Sequence, residues 1–168
     1  MKVAATGSEA QTGNGLGGKY LTFTLGSEEY GVGILKVREI IGIMEITAVP
    51  HTPDYIKGVI NLRGRVIPIV ELRQKFGMEL KEYDDRTCII VVEVSGANGS
   101  IQVGMLVDSV SEVTNILPEE IEPPPDFGVA TEADNILGMG KVKGQVKILL
   151  DVDQVIGKTL VDTLAKAE

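Results

Sequence analysis

Val59-Ile60-Asn61-Leu62-Arg63-Gly64-Arg65-Val66-Ile67-Pro68-Ile69-Val70-Glu71-Leu72-Arg73-Gln74-Lys75-Phe76-Gly77 is the stretch that decides the fold. Two short β-branched runs, Val59–Leu62 and Val66–Leu72, flank a turn at Gly64, and a helical turn over Leu72–Phe76 stops at Gly77. A shift of 80 positions lays Gly64, Val66, Glu71, Gln74 and Gly77 over Gly144, Val146, Asp151, Gln154 and Gly157, with Ile69 and Phe76 meeting Leu149 and Ile156. A shift of 73 positions lays Gly31, Val37, Glu39, Ile43 and Pro50 over Gly104, Val110, Glu112, Ile116 and Pro123. One insertion or deletion reconciles the two registers. Each half, about 60 to 70 residues, lies near the lower limit for an independent core, so the two must share apolar surface. The expected architecture is all-β: two small barrels, closed or nearly so, which removes exposed strand edges. The repeat leaves open whether strands are exchanged between them.

Outward from that stretch the pattern persists. Tyr20–Leu25, Tyr30–Ile34, Thr87–Val94, Ile101–Val107, Val113–Leu117, Ile136–Val142 and Val146–Val152 are further short strands closed by Gly, Pro or Asp. Leu35–Ile41 and Asp153–Leu164 have helical spacing, as Leu72–Phe76 does. Residues 1–18 are small, polar and glycine-rich, which predicts a flexible tail. The expected organisation is a tail over 1–18, paired halves at 19–77 and 86–157, and a C-terminal helix over 158–168.

Composition excludes several classes of function. The 168 residues carry a formal net charge of −8, which opposes phosphate backbones and anionic headgroups, so neither nucleic acid nor direct membrane contact is expected. No apolar run approaches a membrane span, and no secretion signal opens the chain; a cytoplasmic address is expected. Cys88 lies in the apolar run Arg86–Val94 and fits a buried structural thiol. The sole histidine, His51, falls in a loop between Pro50 and Thr52.

Catalytic chemistry finds little to build on. One His and one Cys disfavour a structural zinc site, so no metal or cofactor is expected. Gly13, Gly15, Gly17 and Gly18 lack the preceding strand and following helix of a phosphate cradle. Asp151-Val152-Asp153 begins like a calcium loop without its glycine and closing glutamate, and fits a strand end and helix N-cap. Glu119, Glu120 and Glu122, beside Pro118 and Pro123–Pro125, fit a solvated acidic loop better than an acid–base pair.

An ordered series of local sequences resembles the CheW family of chemotaxis coupling proteins. Tyr20–Gly26, Glu29–Val32 and Ile34–Ile40 resemble its first hairpin and following helix. Thr52–Gly64 and Val66–Arg73 resemble its most recognisable stretch, and Gly104–Val110, Glu112-Val113, Pro123–Phe127 and Leu137–Asp151 extend the match. The resemblance covers nearly all of residues 19–157. It implies two SH3-like five-stranded barrels with partly exchanged strands. It also implies a non-enzymatic adaptor that joins chemoreceptor cytoplasmic tips to the regulatory domain of the histidine kinase CheA, recruited to membrane-associated arrays. A regulatory domain cut from a larger kinase or receiver-linked adaptor is the alternative.

The same resemblance assigns residues. Glu39 and Arg63 resemble a charged pair near the receptor groove, where the planar guanidinium suits a carboxylate. Gly58 and Gly64 either admit a partner backbone or satisfy turn geometry. Ile34, Val37 and Ile40, at helical spacing, line the groove or pack the core. Receptor tips in this system are helical hairpins, which implies helix-in-groove recognition. Glu122, Asp126 and Phe127 are implied as one kinase contact, with Phe127 after three prolines either a rigid anchor or a buried side chain. Ile43, Thr47 and Val49 mark a second kinase contact.

Overall fold

The Gly64 turn and its repeat each close a hairpin, and the two hairpins are built alike. The computed structural model describes residues 16–96, 99–124 and 136–156. Within it, β4 (Ile56–Leu62) pairs with β5 (Arg65–Glu71) across Arg63-Gly64. Likewise β10 (Ile136–Val142) pairs with β11 (Gln145–Leu150) across Lys143-Gly144. Both two-residue loops have positive φ at both positions, 53° and 87° in the first, 52° and 79° in the second. That is the turn whose twist matches a hairpin, and glycine in its second position lowers the strain. A short helix follows each: α1 (Leu72–Lys75) and α2 (Val152–Ile156). The Asp151 carboxylate accepts from the N–H groups of Asp153 and Gln154 at 3.1 and 3.3 Å, the N-cap expected there.

The other strands are β1 (Gly18–Leu25), β2 (Glu28–Gly33), β3 (Val37–Gly42), β6 (Cys88–Gly96), β7 (Gly99–Val107), β8 (Ser109–Ile116) and the two-residue β9 (Ile121–Glu122). They form one sheet in the order β3-β6-β7-β5-β4 and another in the order β8-β1-β2-β11-β10-β9. The exchange left open by the repeat is now explicit. Hairpin β1–β2 from the first half lies in the second sheet, and β6–β7 from the second half lies in the first. Parallel pairs β5–β7 and β11–β2 seat the exchanged hairpins. The first barrel closes where Thr47 exchanges two backbone hydrogen bonds of 2.8 Å with Val59 of β4. The second closes where β9 pairs with β10.

Burial follows from this exchange. Ile60, Leu62, Ile67, Ile69, Ile89, Val91 and Leu106 fill the first barrel, and Tyr20, Ile116 and Leu149 the second. A larger cluster lies between the barrels, with Phe23, Leu25, Val32, Val70, Ile90, Val92, Met105 and Val155 among its members. Strand β6 therefore buries both faces, Ile89 and Val91 on one and Ile90 and Val92 on the other, which is why its sequence is continuously apolar rather than alternating.

Leu35–Ile41 corrects an expectation. It is not a helix but a 3-10 turn at Ile34–Lys36 followed by β3. Between Val37 and Glu39 the register against β6 slips by one residue, a bulge. The extra residue puts Val37 and Ile40 on one face at i, i+3, a spacing that imitates a helix. The expected acidic loop is likewise partly ordered, as a 3-10 turn over Pro118–Glu120 and then β9, with the Glu120 carboxylate accepting from the Leu117 N–H at 2.8 Å. The tail through residue 15 and the C-terminal helix over 158–168 lie outside the described residues.

At the seats of the exchanged hairpins a side chain larger than glycine's would crowd its neighbours. A Cβ on Gly104 would lie 2.6 Å from Ile69 Cδ1 and 2.7 Å from Ile89 Cγ2; on Gly31 it would lie 3.0 Å from Leu149 Cδ2. Gly104→Ala is expected to cost about 1–3 kcal/mol by overpacking, and Gly31→Ala less. Urea midpoints of the two variants check the order.

Candidate functional site

The first barrel's seam is closed by Thr47, on the connection after β3, against Val59 of β4, and Glu39, Gly58 and Arg63 of the expected receptor residues lie beside it. Arg63, in the left-handed turn, sends its Nη2 to the Glu39 carboxylate on β3, so the pair spans the seam. Glu39 thus lies on a strand rather than on the expected helix. The turn is fixed locally because Asn61 Oδ1 accepts from the Gly64 N–H at 2.8 Å. Arg63 and Gly64 are exposed and Glu39 is half-buried.

Gly58 has a different role from either expected one. It is buried with φ 146°, and a Cβ there would clash with the Thr47 carbonyl oxygen and lie 2.7 Å from its carbon. The backbone that approaches Gly58 is the chain's own, and that approach closes the barrel. Ile34 and Val37 are partly buried against the inter-barrel cluster. Ile40, on the Val37 face, is 45% exposed beyond it. Of the three apolar residues assigned to the groove, Ile40 alone is freely accessible.

Among residues assigned to kinase contact, Ile43 is exposed and Thr47 forms the seam over Gly58. Val49 follows on the same connection, half-buried. These three therefore share one barrel with Glu39 and Arg63. Glu122 is on the other barrel, in β9, where its carboxylate meets Lys141 Nζ at 2.5 Å. Asp126 and Phe127 lie outside the described residues. The second barrel's counterpart of the Glu39–Arg63 seam is a recess of about 460 Å³ lined by Glu112, Val113 and Lys143. Among the described residues no ion pair joins Glu112 to Lys143, so the charged bridge belongs to the first barrel. His51 is exposed in its loop at φ 63°. Cys88 is half-buried, and that burial pushes its thiol pKa up.

A profile of the CheW-like domain matches residues 19–159, almost the whole described chain. The chain belongs to the CheW family. It is 41% identical over 158 residues to Chemotaxis protein CheW of Klebsiella aerogenes, covering 92% of this chain and 93% of that one. It is 38% identical over 139 residues to Chemotaxis protein CheW of Rhizobium meliloti, covering 83% and 87%. Among solved structures, the scaffolding protein TtCheW from Thermoanaerobacter tengcongensis superimposes with a TM-score of 0.75 at 32% identity, covering 86% of this chain and 95% of that one. The two barrels described above are thus the SH3-like pair of the CheW fold. No described helix is long and apolar enough to cross a membrane.

Three charged groupings of this CheW-family chain escaped the sequence. Arg73 of α1 makes a two-pronged bond to Asp108, Nε to Oδ1 at 2.8 Å and Nη2 to Oδ2 at 2.7 Å. Lys147, buried in β11, pairs with Glu29 of β2. Glu71, buried at the end of β5, accepts from the Tyr83 hydroxyl at 2.9 Å. One signal was available: the shift of 80 sets Lys147 against Ile67, a core residue, so a charge there needed a partner.

Proposed function

We propose that this protein is a non-enzymatic adaptor that couples chemoreceptor cytoplasmic tips to the regulatory domain of the histidine kinase CheA, in the cytoplasm and recruited to membrane-associated arrays. The observation that carries the reading is the Glu39–Arg63 bridge across the first barrel's seam beside exposed Ile40, in a chain of the CheW family. The bridge orders a guanidinium at the surface without burying it. An exposed pair of this kind contributes about 0–1 kcal/mol to folding, so its value lies in what it presents. Receptor contact falls on this seam; kinase contact falls on Ile43–Val49 of the same barrel and, separately, on Glu122, Asp126 and Phe127. Receptor motion then biases the kinase through differential contact energy, with no chemical step in the adaptor. A regulatory domain of a larger chemotaxis protein is the less favoured reading, because the relatives above are themselves named Chemotaxis protein CheW.

Pull-down with a receptor signalling tip and a kinase regulatory domain tests this. Arg63→Ala is expected to weaken receptor capture about tenfold or more, since a charge-assisted bond is lost. It should leave kinase capture and the unfolding midpoint nearly unchanged. Phe127→Ala is expected to weaken kinase capture alone. Absence of both partners on the wild type refutes the adaptor reading; full retention by both variants discards only the site residues.

A further inference from the structure

Glu71 is placed where a carboxylate is costly. It ends β5 where both faces are covered, is 4% exposed, and its N–H donates to the Tyr55 carbonyl at 2.7 Å. The carboxylate has no lysine, arginine or histidine ion-pair partner among the described residues. Its Oε1 takes the Tyr83 hydroxyl. Its Oε2 has no hydrogen-bond partner among the described residues and is not sealed from solvent. The opening is a recess of about 400 Å³, whose walls include Ile46, Leu80 and the Tyr83 ring. Lys57 also lines it, lowering the carboxylate's pKa through space without reaching ion-pair distance, and burial outweighs this to leave the pKa raised. Lys81, at the same recess, is already held by Asp84 at 3.0 Å.

We propose that this recess binds the ammonium or guanidinium of a lysine or arginine side chain presented by a partner protein. A cation supplies the charge that the buried carboxylate lacks, and its methylene stem lies along Ile46, Leu80 and the Tyr83 ring. Leu80 and Tyr83, 55% and 41% exposed, flank the mouth and extend the surface that a peptide backbone covers. This site lies apart from Glu39 and Arg63, shares the Ile43–Val49 segment through Ile46, and depends on neither the receptor nor the kinase reading.

Amide-shift titration of the ¹⁵N-labelled full chain tests it, with Nα-acetyl-lysine N-methylamide, Nα-acetyl-arginine N-methylamide, the uncharged norleucine analogue, and n-butylamine. Saturable shifts at Glu71 and Leu80–Tyr83 are expected with the two cationic amino acids, weaker ones with n-butylamine, and none with norleucine. Glu71→Gln, which still accepts from Tyr83, is expected to weaken binding about tenfold or more. Tyr83→Phe frees Oε1 and is expected to tighten binding. Equal response to norleucine, or undiminished binding by Glu71→Gln, overturns the site. Equal affinity for n-butylamine overturns its assignment to a protein side chain. If Glu71→Gln misfolds, Tyr83→Phe decides, and loss of binding there overturns the proposal.

Discussion

Gly58→Ala is expected to open the first barrel and cost about 3–5 kcal/mol, combining backbone strain at φ 146° with a methyl group forced onto the Thr47 carbonyl. No flexible side chain can move aside there, because the obstacle is backbone. Relief requires Thr47 to lift from Val59, which breaks both 2.8 Å bonds of the seam. Denaturant unfolding should show the lost stability, and hydrogen exchange should show the Thr47 and Val59 amides deprotected first. Gly138 is the internal control. It stands 80 positions on, beneath β9, and a Cβ there would lie 2.7 Å from Ile121 Cγ2 and 2.9 Å from the Glu122 carbonyl oxygen. Gly138→Ala should loosen the second seam more mildly, as the nearest obstacle is a side-chain methyl. An unchanged midpoint for Gly58→Ala would mean that the seam does not hold the barrel closed.

A different pair of glycines, Gly64 and Gly144, shows what was legible in the sequence. Turns were legible, because Arg63-Gly64 and Lys143-Gly144 occupy backbone conformations that favour glycine. Strand faces were legible from alternation. Partner choice was not: a hairpin such as β1–β2 buries the same residues whether it pairs within its own half or with the other, and alternation specifies faces, not neighbours. Bulges hid strand β3 for a related reason. One extra residue at Arg38 sets Val37 and Ile40 three apart, and one at Ser111 does the same for Val110 and Val113 in β8. Exposed Ile40 and Val113 occupy matching places on the two barrels. For the site, the Glu39–Arg63 pair was legible because it lies at a recognisable turn. The Gly58 contact and the Glu71 recess were not, because each is made by segments, Ile43–Val49 and Leu80–Tyr83, whose courses no periodicity fixes.

Asp108→Asn should lower stability at neutral pH and flatten its acid limb, because Asp108 sits where the exchanged hairpin β6–β7 crosses to β8. Its carboxylate receives Arg73 of α1 in a two-pronged bond and the Gly26 N–H at 2.8 Å, with the pair's side chains 12% and 15% exposed. The other crossover, between β2 and β3, has a counterpart: Lys36 meets Asp153 of α2 at 2.9 Å, with Asp153 also accepting from the Ser95 N–H. The shift of 80 carries Arg73 onto Asp153, so each helix clamps the crossover into its own barrel with the charges reversed. Their strengths differ. Arg73→Ala strands a nearly buried carboxylate and is expected to cost about 3–5 kcal/mol; Lys36→Ala breaks a solvated pair and should cost no more than about 1 kcal/mol. Burial pushes the Asp108 pKa up, but the Arg73 hydrogen bonds and the Gly26 N–H outweigh it and hold the pKa below the ordinary value. Its stabilisation is therefore complete above the unfolded pKa of about 3.9 and lost as pH falls through the folded value. Glu71 acts in the opposite sense, since burial raises its folded pKa. Falling pH relieves the cost of its ionised form, between that raised value and about 4.3. Stability should rise modestly on acidification and then fall, with Glu71→Gln removing the rise and Asp108→Asn lessening the fall. Asp84 and Glu93, also held below the ordinary carboxylate range by Lys81 and Arg38, add to that fall. An acid limb of undiminished steepness in Asp108→Asn would place the acid-sensitive contact elsewhere than this crossover.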